Sequence, residues 1–427
     1  MNAESTTSFK SLGLADELVQ AVTEQGYLVP TPIQFKAIPL ILKGCDVMAK
    51  AQTGTGKTAA FALPMLQHLS KTAYNKPRPV RALILTPTRE LAAQVHENVT
   101  SYGKHVNLFA ELIYGGVSMN SQTQRLRRGC DIVVATPGRL LDHIRQGHVT
   151  FDALSILVLD EADRMLDMGF SQEINAILAM LPSDKQSLLF SATLSGDIKH
   201  LATQWLKKPV DIEIAASSVA ADTVIQSLYP IKREYKRELL SYLIGHGQWR
   251  GVLVFVRTKH GADRLGLQLL KDGIKCAVLH GDKTQGARSR ALDAFKLGKV
   301  QVLVATDIAA RGLDIDQLPY VVNFDLPSVA EDYIHRIGRT GRAGLPGNSV
   351  SLVCPEEGMA LKAIEKLLKQ PIPRVLDTGY EPVNLEAKKE VKPSRPEKKP
   401  MSKPASFKKP AKLQRKPEKK RFSAGKR

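Results

Sequence analysis

Short apolar runs alternate along this chain with stretches of helical spacing. Ala82 to Leu85, Ile132 to Ala135, Ile156 to Leu159 and Ser187 to Phe190 are too brief for helices, and they are continuously apolar rather than alternating. That is the pattern of strands buried on both faces of a parallel sheet. Between them, segments such as Arg89 to Val99 return apolar side chains every three or four residues, the period of a helix with one face packed. The alternation predicts the α/β class, with helices covering a mostly parallel sheet. It lapses after Asp211, where Ile212 to Thr223 is rich in Ala and Ser, and resumes at Val252 to Val256, Lys275 to Leu279, Val300 to Ala305, Tyr320 to Phe324 and Ser349 to Val353. Two similar domains follow, residues 1–210 and 224–373, joined by a linker over 211–223.

Chemistry enters with Ala51 to Thr58, AQTGTGKT. Asp46 to Lys50 reads as a strand and Thr58 to His68 as a helix, so the glycines lie in the turn between them. Gly54 and Gly56 leave room for backbone N–H groups to wrap a phosphate, with Thr53 and Thr55 in the same loop. Lys57 supplies a point charge to the outer phosphates, Thr58 offers a hydroxyl to Mg²⁺, and the helix start adds its partial positive charge. About a hundred residues later the apolar run ending at Leu159 is followed by Asp160-Glu161-Ala162-Asp163. Carboxylates there sit at the ligand edge of a parallel sheet. Asp160 is expected on the magnesium side and Glu161 as the group that orients the attacking water. The two motifs together predict binding and hydrolysis of a nucleoside triphosphate.

The length of 427 residues allows two to three domains. Cys45, Cys130, Cys276 and Cys354 are scattered without a C-x-x-C pair, which points away from a zinc site or disulfide framework and toward a reducing, cytoplasmic setting. No signal peptide or apolar run of spanning length is evident, so a soluble protein without membrane association is expected. The net charge is +19, and Lys388 to Arg427 alone holds 17 basic and 3 acidic residues. Six prolines and almost no aliphatic side chains accompany them, so residues 374–427 are expected to form a disordered basic tail that tethers a polyanion, most simply RNA. Arg395, Arg415 and Arg421, with Phe407 and Phe422, suit phosphate and base contacts.

The second domain has no phosphate loop of its own. It carries instead His335-Arg336-Ile337-Gly338-Arg339-Thr340-Gly341-Arg342, arginines at every third residue interleaved with glycine. Guanidinium groups so placed are suited to a triphosphate held by the other domain.

With these blocks in order, the chain resembles the DEAD-box RNA helicases of superfamily 2 from Phe9 to about Pro373. The resemblance rests also on Gly26-Tyr27 through Pro32-Ile33-Gln34, Pro87-Thr88-Arg89-Glu90-Leu91, Gly115-Gly116, Thr136-Pro137-Gly138-Arg139, Ser191-Ala192-Thr193, Val254-Phe255-Val256-Arg257, Gln285 to Arg288, and Ala305-Thr306-Asp307 through Arg311-Gly312-Leu313-Asp314. It implies two tandem RecA-like domains. It implies further that Gln34 reads adenine with Tyr27 and Phe9 as flat packing partners, that Asp314 meets the ribose, and that Arg339 and Arg342 act on the triphosphate. RNA would be held by Pro87, Arg89, Gly116, Thr136 and Arg139 on one domain and Arg257, Gln285, Arg288 and Thr306 on the other. Asp163, Ser191, Thr193 and His335 would couple the sites. Contacts of this kind grip phosphate and ribose, so binding is expected to be largely sequence-independent.

The implied activity is ATP-dependent closure of two domains on RNA with local, non-processive separation of short duplexes. A short lead before Phe9 and the basic tail make the chain look like the bacterial RhlE-type members, which would imply work on ribosomal RNA during assembly or in RNA decay, with ribosomal precursors or the decay machinery as partners. Two other classes fit the same residues: an ATP-gated RNA clamp that seldom unwinds, and a DNA helicase or translocase. An annealing activity in the tail is compatible with any of them.

Overall fold

The computed structural model describes residues 8–385 apart from 52–53, 73–76, 195, 215–223, 311–317, 342–346, 378 and 381–382. Two parallel sheets organise it. The first contains β1 (Val47–Lys50), β2 (Ala82–Leu85), β3 (Ala110–Ile113), β4 (Ile132–Ala135), β5 (Ile156–Asp160), β6 (Gln186–Ser191) and β7 (Val210–Glu213), in the order β3-β4-β2-β5-β6-β1-β7. The second contains β8 (Val224–Pro230), β9 (Val252–Phe255), β10 (Cys276–Leu279), β11 (Val302–Ala305), β12 (Tyr320–Asn323) and β13 (Gly347–Val353), in the order β10-β11-β9-β12-β13-β8. Counting from the first strand of each, the two orders are the same, with β7 as an addition to the first. The chain is a structural repeat.

The pleat decides which side chains enter which core, because successive residues of a strand face opposite sides. In the first sheet Ile84, Val134, Val158 and Phe190 go to one face, while Leu83, Leu85, Val133, Leu157 and Leu189 go to the other. Both faces are covered by helices, which is why these strands are apolar throughout. The second sheet repeats the arrangement, Val252, Val254, Val304 and Val322 on one face and Leu253, Phe255, Leu303 and Val321 on the other. Local caps agree with the repeat: Thr88 after β2 accepts from Leu91 N at 3.2 Å, and Thr258 after β9 accepts from Gly261 N at 3.0 Å. Each hydroxyl satisfies an orphan donor at a helix start and points the helix off the sheet edge.

Two expected boundaries move. Asp211 to Glu213 belongs not to a linker but to β7, whose residues pair in parallel with β1. Of the rest of the expected linker, Ile214 N donates to Lys50 O at 3.0 Å, and 215–223 lies outside the described residues. At the other end the domain does not stop at Pro373. Leu228 N donates to Pro373 O and Val375 N to Leu228 O, both at 2.8 Å, so this segment covers the open edge of β8. Leu385 is buried beside Val224 and Leu228. The basic tail from residue 386 lies outside the described residues.

Candidate nucleotide and RNA site

The phosphate loop is built where β1 hands over to the helix Lys57–Ser70. Gly54 and Gly56 take φ of 81° and 90°, which a side chain would strain. Gly56 also has no room for one, since a Cβ there would strike the Gln34 amide. Lys57 opens the helix at 6% exposure, and its Nζ has no hydrogen-bond partner among the described residues. A buried ammonium without an acceptor is costly unless a ligand completes it.

Asp160 and Glu161 face the same space from the end of β5. Burial pushes the Asp160 carboxyl up to about 7; the Lys57 charge opposes this, and Glu161 and Asp163 add to it. Glu161 adopts φ 52°, a left-handed conformation unusual for glutamate, costing about 1–3 kcal/mol, as found where a site over-determines its backbone. Its Oε2 lies 3.3 Å from Arg164 Nε without hydrogen-bond geometry. Asp163 faces the other way: its Oδ2 accepts from Ala192 N, Thr193 N and Thr193 Oγ1 at 3.2, 3.0 and 3.2 Å. Ser191 reaches not Asp163 but Thr193 O, at 2.6 Å.

Lys57, Asp160 and Glu161 line a cavity of about 290 Å³ that also receives Gly54, Thr58, Gln34 and Tyr27 from the first domain and Arg339 from the second. Gln34 is buried, its Oε1 accepting from Thr31 N at 2.9 Å and its Nε2 donating to Gly56 O at 3.1 Å. A primary amide has a second N–H and a second lone pair, so one donor and one acceptor remain for a base. Phe9 departs from expectation. It is 3% exposed in the core of the first domain and is not among the residues lining the cavity. Sequence reasoning missed Gln94 and Asn98, which line the cavity from the helix Arg89–Tyr102. Their four-residue spacing places them on one helix face, and that spacing was the available signal.

The arginine block divides. Arg339 reaches the cavity, whereas Arg336 turns into its own domain, bonding Asp307 twice at 2.6 and 2.7 Å, Asn323 Oδ1 at 3.0 Å and Asp325 O at 2.6 Å. His335 lines a neighbouring cleft with Arg164 of the first domain. Thr53, Asp314 and Arg342 lie outside the described residues.

The RNA candidates cluster at the carboxyl ends of strands, where open α/β sheets bind ligands. Arg89 lies against Gly116, whose φ of 79° and absent side chain make room for the guanidinium. Across the cleft Arg89 Nη1 is 3.5 Å from Gln285 Oε1. Glu90, given no role from the sequence, accepts from Gln285 Nε2 at 3.3 Å and pairs with Arg288 at 2.8 Å. Arg139 donates to Val117 O at 3.0 Å. Pro87, Thr136 and Thr306 are buried at the strand ends, and Arg257 is half-exposed. No helix among the described residues is long and apolar enough to cross a membrane.

Two family models match in succession, the DEAD/DEAH box helicase model over residues 31–201 and the helicase conserved C-terminal domain over 235–344. The chain is 43% identical over 375 residues to the ATP-dependent RNA helicase RhlB of Pseudomonas syringae pv. tomato, covering 86% of this chain and 94% of that one. It is 43% identical to the DEAD-box ATP-dependent RNA helicase RhpA of Helicobacter pylori over 86% of this chain and 73% of that one. S. cerevisiae Dbp5 bound to RNA and ADP BeF3 superposes with a TM-score of 0.77 at 34% identity, covering 86% of this chain and 95% of that one. With both models in order and near-complete relatives at this identity, the chain belongs to the DEAD-box helicase family.

Proposed function

We propose that this protein is an ATP-dependent RNA helicase whose two domains close on ATP and RNA together and separate short duplexes locally. One observation carries the reading: Lys57, Asp160 and Glu161 of the first domain and Arg339 of the second line a single cavity. In the proposed mechanism Lys57 and the loop N–H groups hold the outer phosphates of ATP, and the remaining donor and acceptor of Gln34 meet adenine beside Tyr27. The buried Asp160 carboxyl and the Thr58 hydroxyl suit a Mg²⁺ ion, which they would hold and which would neutralise phosphate charge, while the Lys57 ammonium, without a hydrogen-bond partner among the described residues, suits the phosphates themselves. Glu161 orients the attacking water, and Arg339, with Arg342, stabilises the charge that builds in the transition state. Asp314 meets the ribose.

Because the groove formed by Arg89, Gly116 and Arg139 on one side and Arg257, Gln285 and Arg288 on the other is complete only when the domains meet, ATP and RNA each favour the other's binding. Asp163, tied to Thr193, relays closure, and His335 joins it from the second domain. Glu161→Gln tests the assignment. It should keep ATP and RNA binding while hydrolysis is lost, and a wild-type rate would remove Glu161 from the mechanism.

Within the family, the basic extension supports an RhlE-type member acting in the cytoplasm on ribosomal precursors or in RNA decay. That extension is read as an RNA tether. Deleting Lys388 to Arg427 should weaken RNA binding and flatten its salt dependence at unchanged RNA-saturated hydrolysis; an unaltered salt slope dismisses the tether.

A further inference from the structure

Outside every motif singled out above, a carboxylate lies at the centre of the second domain's charged groups. Glu357 sits in the short 3-10 turn Pro355–Glu357 after β13, 3% exposed. Its Oε2 accepts from Lys236 Nζ at 2.6 Å and Cys354 N at 3.0 Å; its Oε1 accepts from Leu326 N at 2.9 Å and Arg257 Nη2 at 3.2 Å. Arg257 is the half of this set that reaches solvent, with 42% of its side chain exposed. The same nitrogen donates to Leu326 O at 3.3 Å, and Arg257 N donates to Asp325 Oδ2 at 2.9 Å. Asp325 and Leu326 form the loop that leads from β12 toward the helix Ala330–Ile337, and Lys236 Nζ also donates to Phe324 O at 2.7 Å.

A long side chain such as Arg257, left to itself at a sheet edge, samples many rotamers, and fixing them on binding costs free energy. Here one nitrogen is held from behind by a carboxylate whose own position is fixed by two backbone N–H groups and a buried ammonium. The remaining donors of the guanidinium are left to face outward, the disposition that phosphate recognition needs. Burial alone would raise the Glu357 carboxyl; the Lys236 charge and the hydrogen bonds outweigh it and hold the group below the usual carboxylate range. The anchor therefore stays charged wherever Arg257 must be held.

We propose that Glu357 is a positioning residue for RNA binding, presetting Arg257 through the contact at its Nη2. This rests on the reading of Arg257 as an RNA contact, and a double-mutant cycle on single-stranded RNA affinity in the full chain separates the two. Arg257→Ala alone should weaken binding about tenfold, and Glu357→Gln about fivefold, magnitudes usual for coupled charged neighbours. With Arg257 already alanine, Glu357→Gln should add nothing further. If Arg257→Ala leaves affinity unchanged, the contact itself is refuted and the positioning role goes with it. If Arg257→Ala weakens binding but Glu357→Gln costs the same fivefold in both backgrounds, Arg257 stands and positioning fails. Should Glu357→Gln prevent folding, Glu357→Asp keeps the charge and withdraws it by one methylene; affinity loss confined to the Arg257 background supports the proposal, and equal loss in both backgrounds overturns it.

Discussion

The lysine that opens the helix after the leading strand meets opposite fates in the two domains. In the first, Lys57 opens the helix after β1, buried, its ammonium without a hydrogen-bond partner among the described residues. In the second, Lys236 follows β8 at the start of its helix, 1% exposed, and is saturated by Glu357 at 2.6 Å, by Phe324 O and by Asp325 at 3.9 Å. The sheet orders being equivalent, each lysine opens the first α-helix after the first strand of its sheet. Among the described residues, the first lysine is buried without a hydrogen-bond partner, and the second is paired with a carboxylate of its own domain. Within a single segment Arg339 lines the cavity, whereas Arg336 is bonded to Asp307 and Asn323 of its own domain. A duplicated architecture thus carries two different settings for the same lysine.

The largest effect should come from removing the arginine that the second domain brings to the cavity. Arg339→Ala is expected to lower RNA-stimulated hydrolysis by about 10³ to 10⁵ while ATP still binds, the range for arginines that act on transferring phosphoryl groups. Single-turnover hydrolysis beside nucleotide titration measures both. Loss of less than tenfold would mean that the second domain does not complete the cavity chemically, and the division of labour would collapse.

Next in size is the closed pair. Lys236→Met should destabilise the protein by about 3–5 kcal/mol, because it strands Glu357 as a buried charge without its main partner. Urea unfolding gives the value. A change below about 1 kcal/mol would show that the second domain's network is not a structural clasp, since losses that small are typical of exposed pairs.

How far all this was legible depends on what a residue answers to. Central strands were readable, because burial on both faces forces Ile156 to Leu159 or Val302 to Ala305 to be apolar throughout. The three strands that went unread, β3, β7 and β8, are all edge strands: Ala110–Ile113 carries Glu111, Val210–Glu213 alternates with acids, and Val224–Pro230 contains Gln226 and Ser227. An edge tolerates and even favours polar residues, which erases the signal. The glycine loop and the Asp160 segment stood out because sequence motifs of this kind place fixed residue types at fixed spacing. Glu90 and Glu357 were not, since their partners Arg288 and Lys236 are remote in sequence and a lone glutamate carries no mark of its pairing. Arg336 and Arg339 show the limit from the other side. Three residues apart in one motif, they are alike in the sequence, and only packing against Phe255 at 4.9 Å and Asp307 sends one of them inward.

The smallest effect is the most pointed, because it concerns stability at the residue most needed for activity. Lys57→Met removes a buried ammonium that has no acceptor among the described residues, which by itself should stabilise the nucleotide-free protein, as unsatisfied buried polar groups each cost about 1–3 kcal/mol. It also removes the charge that holds down the Asp160 carboxyl, which burial already pushes up to about 7, and that loss works in the opposite direction. The two terms oppose each other, so the net change in unfolding free energy without nucleotide should fall well short of the roughly 3–5 kcal/mol loss expected of Lys236→Met. With ATP present the order reverses: wild type should gain stability by mass action as ATP binds, and Lys57→Met should not. Unfolding curves of both variants, with and without ATP, therefore distinguish a lysine kept for a ligand from one kept for the fold. If Lys57→Met proves as damaging as Lys236→Met in the absence of nucleotide, the ammonium is already satisfied within the protein and the contrast between the two domains does not hold.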